Sequence, residues 1–433
     1  VNYFDLPRLF VLPFLFIIGC CIGSFLNVCI YRFPAKIRLR DQLRSLVSHG
    51  SGCPRCAASI RWHDNLPLIG WLLLLGKCRS CHRSISPRYP LIELLTGILF
   101  VAVYQIEMPA NFWGQVPDAG LLSPDGPQNI RDLWTPAVWL HLRYLLHISM
   151  ICGLIVATFI DFELRIIPDG STVPVMIFAV LLSTICGQTF LVPLWFQDAS
   201  VVASLRHIAP DWLQSLIFSW DGLSFAIQHP HVHGFLVSIA GLIFGGGIVW
   251  MVRIAGFWVL KQEAMGFGDV VLMAMIGSAI GWQPVTVVFF LAPVLAIFAA
   301  LLAWITRRDR EIPYGPWLSI ATLLLILCWP FFWPLARRIF DMGPFVPFMA
   351  LFMFVSLVAC LQLVQIVKRL FGFSTGTGDD PGDGGWSSAD HLFYYNNERP
   401  DDQTGQWTRP LWPGGRTGQG TSHYHQWRNG RRE

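Results

Sequence analysis

The sequence predicts an all-α polytopic membrane protein of about eight or nine transmembrane helices, with a small cytoplasmic four-cysteine module in its first loop. Three observations carry this. Apolar residues make up 54% of the 433 positions and charged residues only 13%, where a soluble domain carries about a quarter charged. The apolar residues fall in blocks near the length that crosses a bilayer core as helix. Lys and Arg are concentrated on alternate loops, the asymmetry that orients spans in a membrane. A soluble protein with deeply buried helices would need long amphipathic partners, and the chain offers few. Mean hydropathy is +0.50.

In chain order the apolar segments lie at about 9–31, 90–107, 139–160, 172–195, 234–255, 269–282, 284–305, 316–335 and 344–367. The block from Phe10 to Ile30 is long for a signal-peptide core and ends without a small-residue cleavage site, so it is expected to remain as a span. The segment at 269–282 is too short to cross alone, and Pro284 separates it from its successor. The loop at 32–88 is dense in Arg and Lys, whereas the loops at 108–138 and 196–233 carry only Arg131 and Arg206. Alternation from the basic loop puts 161–171, 256–268 and 306–315 on its side, the cytoplasmic one. The N-terminus is then outside, and Asp161, Asp269 and the cysteine loop share the cytoplasmic face.

The expected organisation is a first span at 1–31, a cytoplasmic zinc module at 32–89 and a membrane-embedded core at 90–335 with external insertions near 108–138 and 196–233. A further C-terminal span at 336–371 and a disordered cytoplasmic tail at 372–433, rich in Gly, Asp and polar residues, complete it. The partners implied at this level are the lipid bilayer and no nucleic acid.

Cys53-Pro-Arg-Cys56 and Cys78-Arg-Ser-Cys81 are separated by 21 residues. Two short knuckles bring four thiolates to one ion, and the loop between them closes the site, the donor set that suits structural zinc. The spacer is slightly longer than the usual ribbon. A reducing cytosol disfavours two disulfides as the alternative. Between the knuckles, Asn65 to Leu73 is apolar but too short to span, and is expected on the membrane surface. Cys20, Cys21, Cys29, Cys152, Cys186, Cys328 and Cys360 stand singly in apolar segments as small hydrophobes.

Two carboxylates sit where apolar segments end. Asp161 closes one run, followed by Pro168, which cannot continue the helix; Asp269 opens another after Gly266-Phe267-Gly268. An acid at membrane depth implies a function or a partner. Two carboxylates held close share a proton, so one can activate water while the other protonates a departing amide. Helix polarity taken alone places that proton on Asp161, at a C-terminal end, and the charge on Asp269, at an N-terminal one. Gly266 and Gly268 would let a substrate backbone approach. Each acid also has an ordinary explanation: Asp269 as a helix cap, Asp161 as an i,i+4 partner of Arg165, and Glu163 and Asp169 as solvated loop acids.

Taken together, the ordered motifs resemble the type IV prepilin leader peptidases, intramembrane aspartyl proteases of the Gly-x-Gly-Asp class. The resemblance rests on Gly23-Ser-Phe-Leu-Asn27 through Arg32-Phe-Pro34, the paired cysteines, and Ser86-Pro87-Arg88-Tyr89-Pro90 through Gly97. Asp161 with Ile167-Pro168-Asp169, Gly266-Phe267-Gly268-Asp269 and Ile312-Pro313-Tyr314-Gly315-Pro316 follow in order. It implies removal of a short basic leader from type IV prepilins or type II secretion pseudopilins at the cytoplasmic face of the bacterial inner membrane. It also implies methylation of the new N-terminus from S-adenosylmethionine. Under it Asp161 and Asp269 are catalytic, and Cys53, Cys56, Cys78 and Cys81 hold structural zinc. Gly23, Asn27 and Arg32 are the candidates for the methyl-donor side, against ordinary readings as a packing glycine, a helix-facing amide and a basic anchor. The family often has Lys two residues after the second aspartate, where this chain has Val271. Two alternatives use the same acids: an ion- or proton-coupled transporter, and an intramembrane aspartyl protease with other substrates.

Overall fold

A computed structural model describes residues 8–36, 38–48, 50, 52–53, 56, 58–107, 136–214, 222–260, 265–305, 313–343 and 345–370. The tail expected at 372–433, most of the insertion at 108–138, and Ile312 of the last motif lie outside these residues.

Among the described residues every secondary-structure element longer than an isolated bridge is a helix, as the sequence predicts. Seven helices are long and apolar enough to cross a membrane: α1 (Arg8–Arg32), α4 (Arg88–Glu107), α5 (Pro136–Leu164), α6 (Asp169–Cys186), α10 (Pro230–Leu260), α12 (Trp282–Ile305) and α15 (Phe345–Leu370). An eighth candidate is a broken pair, α13 (Gly315–Leu327) and α14 (Trp329–Phe340), bent by 97°. The chain is a multi-pass membrane protein. Shorter helices complete it: α2 (Leu39–Ser48), α3 (Ile69–Leu73), α7 (Ala199–Ile208), α8 (Asp211–Gln214), α9 (Gly222–Gln228) and α11 (Phe267–Ile280).

Two expected spans are redrawn. The segment at 316–335 is not one straight helix: it breaks at Cys328, and Pro330 at the start of α14 has no N–H to continue the ladder. The stretch expected as helix to residue 195 stops at Cys186, where Gly187 takes the left-handed conformation (φ 74°) and donates its N–H to Ser183 O. Beyond it, the carbonyls of Pro193 and Leu194 accept hydrogen bonds from Gln283 Nε2 and Trp282 Nε1. Here Trp195 stacks on Trp282, and Trp329 on Trp333, an aromatic cluster of the kind that marks a membrane boundary.

The core is built around α11. With 14 residues it is about 21 Å long, short of the roughly 30 Å hydrocarbon core. Every residue from Leu272 to Ile280 is buried, because α11 lies against α10 at backbone contact. A methyl group on Gly241 would collide with Gly277 O, and one on Gly277 with Gly241 O, so only glycine permits this approach. The opening turns of α4, α6, α11 and α13 and the closing turns of α1 and α5 meet at one end of the bundle, where the loops converge.

Candidate active site and metal centre

Asp161 lies in the last turn of α5. That helix ends because Arg165 adopts φ 56° while its N–H still bonds Asp161 O (3.0 Å), and Pro168 then redirects the chain into α6. Asp269 is the third residue of α11, behind an extended Gly266, and its Oδ2 accepts the Gly266 N–H (3.3 Å). It is therefore not the cap itself but the acid one turn in, reaching back to the capping residue. Both carboxylates are buried, at 6% and 8% exposure, and Asp161 senses the charge of Asp269.

A third element completes the pocket. Gly315, in the first turn of α13, lies against the Asp161 carboxylate: a methyl group built on it would stand 2.6 Å from Asp161 Oδ2. Ile167 fills the space between the loops: methyl groups built on Gly268 and Gly315 would lie 3.0 Å from Ile167 Cβ and 3.2 Å from its Cδ1. Gly268 thus serves close packing against Ile167 rather than leaving open space. The position of α13 also changes the argument from helix polarity. Asp161 ends α5 but faces the start of α13, so the two helix ends act on it in opposite senses.

The other acids separate from the pair. Glu163 forms an ion pair with Arg88, the first residue of α4, whose guanidinium also stands 5.5 Å over the Phe159 ring. Asp169 is exposed at the first turn of α6. Its neighbour Gly170 donates its N–H to Gln42 Oε1 (2.6 Å), while Gln42 Nε2 bonds Lys36 O. Gln42 thus ties the module's α2 to the loop after Asp161, a contact no sequence motif announces. Val271 leaves its position without a cation; Arg253 of α10 instead stands 5.8 Å over the Phe267 ring.

The three residues considered for the methyl donor are engaged within the fold. A side chain on Gly23 would lie 2.7 Å from Glu93 Cα, so Gly23 lets α1 and α4 touch. Asn27 Nδ2 donates to Tyr89 O (3.1 Å), and Arg32 Nη1 to Ser45 O (2.6 Å) at the end of α2.

The four cysteines form a second centre. Their Sγ atoms all lie within 4.8 Å of one another, with Cys53–Cys81 at 3.9 Å and Cys56–Cys78 at 4.0 Å. A tetrahedral metal with sulfur at about 2.3 Å has S···S edges of about 3.8 Å, so this set fits zinc in size and donor type. All 11 cysteines are free of disulfides. Each knuckle is closed by one antiparallel bridge, Gly52 with Ser59 and Lys77 with Ser84. Arg79 clamps Asp64 through two hydrogen bonds (2.6 and 2.8 Å) and holds its carboxyl below its usual value.

Comparison with known proteins agrees with this layout. The Bacterial Peptidase A24 N-terminal domain matches residues 17–106, and the Type IV leader peptidase family matches residues 206–301. Asp269 falls within the second match, and Asp161 between the two. The Type 4 prepilin-like proteins leader peptide-processing enzyme of Escherichia coli O78:H11 is 31% identical over 321 residues, covering 71% of this chain and 90% of that protein. The Prepilin leader peptidase/N-methyltransferase of Aeromonas hydrophila is 28% identical over 342 residues (73% and 90%). That of Neisseria gonorrhoeae is 28% identical over 329 residues (72% and 88%). No solved structure matches the chain.

Proposed function

From the chain's membership of the type IV leader peptidase family, we propose that Asp161 and Asp269 are the catalytic pair of a prepilin leader peptidase that also N-methylates its product. The observation that supports this is a pair of buried, electrostatically interacting carboxylates at the ends of α5 and α11, with Gly315 of α13 packed against one of them. The pair holds one proton. Its ionised member takes a proton from water as the oxygen attacks the scissile carbonyl carbon, and the protonated member donates to the carbonyl oxygen. Collapse of the resulting diol breaks the C–N bond, and the pair returns a proton to the departing amine. A prepilin or type II pseudopilin supplies the peptide, and the site faces the cytoplasm of the bacterial inner membrane in keeping with the Lys/Arg bias.

Cys53, Cys56, Cys78 and Cys81 would hold zinc, which supplies a cross-link in place of a larger core. S-adenosylmethionine would supply the methyl group for the new N-terminus. Gly23, Asn27 and Arg32 serve that half by holding α1, α4 and α2 in register, Gly23 through close contact with α4 and the other two through hydrogen bonds to backbone carbonyls. A transporter reading leaves the cysteine module without a role.

Mass spectrometry of a model prepilin incubated with the enzyme in lipid tests both halves. Loss of the leader and gain of one methyl group on the new N-terminus is the expected product. An intact substrate would refute the peptidase, and a cleaved but never methylated product would refute the transferase.

A further inference from the structure

Outside the spans, the cysteine module carries a concentrated apolar surface. Trp62 is 80% exposed, Leu72 61%, Leu73 74% and Leu75 82%, all within the loop between the two knuckles. Leu75 also holds a left-handed φ of 50°, a conformation that disfavours a branched side chain and that here projects it outward. An outlier of this kind in a solvent-facing loop calls for an explanation.

We propose that this loop is a lipid-binding surface that dips into the bilayer leaflet on the side where Asp161 and Asp269 lie. The loop's depth is set by a hydrogen bond: the Leu68 N–H donates to Glu93 Oε2 (2.8 Å). Glu93 is five residues into α4, about 7 Å along a membrane-spanning helix from its first residue. The loop is thus pinned to a span below its mouth, continuous with the protein–lipid boundary. Trp71 fixes its other side by donating its indole N–H to Ile85 O (3.2 Å). The loop is also cationic: Arg61 and Lys77, and Arg83 just beyond the second knuckle, are exposed, while Asp64, the sole acid in 60–87, is clamped by Arg79. Exposed apolar and basic side chains in one loop match acyl chains and anionic headgroups at a leaflet surface. Neither a soluble partner nor a second copy explains why the loop is tied at membrane depth.

The test uses the full chain in nanodiscs of phosphatidylcholine with anionic phosphatidylglycerol, carrying a photo-crosslinking residue as Leu73→p-benzoylphenylalanine or, separately, at Leu72. Ile243, 64% exposed on the span α10, is the lipid-facing reference, and exposed Asp41 on α2 the aqueous one. Retained zinc content certifies that the module is folded. The expected result is phospholipid adducts at Leu73 at half or more of the Ile243 yield, at least twofold richer in phosphatidylglycerol than at Ile243. A yield no higher than at Asp41, or adducts to this chain or a second copy, overturns the proposal. So does an added prepilin peptide that displaces the lipid adduct and is captured itself. Equal headgroup ratios at the two positions would overturn the cationic component.

Discussion

Gly315 carries no side chain, and a methyl group there would lie 2.6 Å from Asp161 Oδ2. Gly315→Ala therefore displaces the carboxylate, and a misplacement of this size is expected to lower the cleavage rate about 10- to 100-fold with little change in thermal stability. Single-turnover cleavage alongside thermal unfolding checks this; an unaffected rate would remove Gly315 from the site. Glu163 has a different task. It pairs with Arg88 across α4 and α5 and stands outside the carboxylate pair, so Glu163→Gln is expected to lower cleavage by less than about tenfold. Loss as complete as that of an Asp161 variant would move Glu163 into the chemistry. The two aspartates were legible in sequence because ionisable residues bordering apolar runs are costly without a role. Gly315 was legible only as a member of a motif, since nothing in its own segment says that it faces residue 161.

At the scale of elements, the α10–α11 contact is the tightest joint and the most sensitive. Gly277→Ala drives a methyl group into Gly241 O and is expected to cost about 1–3 kcal/mol, read as a lower unfolding temperature in detergent. Gly247, on the same α10, has no atom within 4 Å of a built methyl group, so Gly247→Ala should leave stability unchanged. At the far end of the bundle, α4 and α5 are joined by a buried charged cluster. His147 Nδ1 lies 2.5 Å from Glu107 Oε1, and Arg143 Nε lies 4.0 Å from Glu107 Oε2. Removing the acid strands the Arg143 cation and leaves the His147 ring without its carboxylate in a dry interior, so Glu107→Gln is expected to destabilise by about 3 kcal/mol while cleavage by the folded fraction persists. Sequence gave a signal here that went unused: Arg143 and His147 stand one turn apart in an apolar segment, and intramembrane charges seldom lack partners. The break at Cys328 was harder to foresee. Hydropathy runs on through both halves of the pair, and only Pro330 marks a bend that hydropathy alone does not register.

At the scale of the whole molecule, the sequence yielded the fold class and the four-cysteine cluster, because both are written in residue type and spacing. It did not yield how the cysteine module docks. The docking runs through Gln42 on Gly170, Arg88 on Glu163 and Leu68 on Glu93, pairs separated in sequence by 128, 75 and 25 residues with no local pattern linking them. Zinc analysis tests the module: about one ion per chain is expected, with loss in Cys53→Ser and Cys81→Ser and a fall as acid protonates the thiolates. Unchanged stoichiometry in those variants would refute the site.

The central claim is that Asp161 and Asp269 act as one unit on a peptide bond. It is tested by single-turnover cleavage of a model prepilin with Asp161→Asn, Asp269→Asn and the double variant. Each single substitution is expected to reduce the rate at least about a thousand-fold, with the double no worse than either, as for groups that work only together. A single variant within tenfold of the unaltered enzyme, or a double whose loss is the product of the two singles, would contradict it.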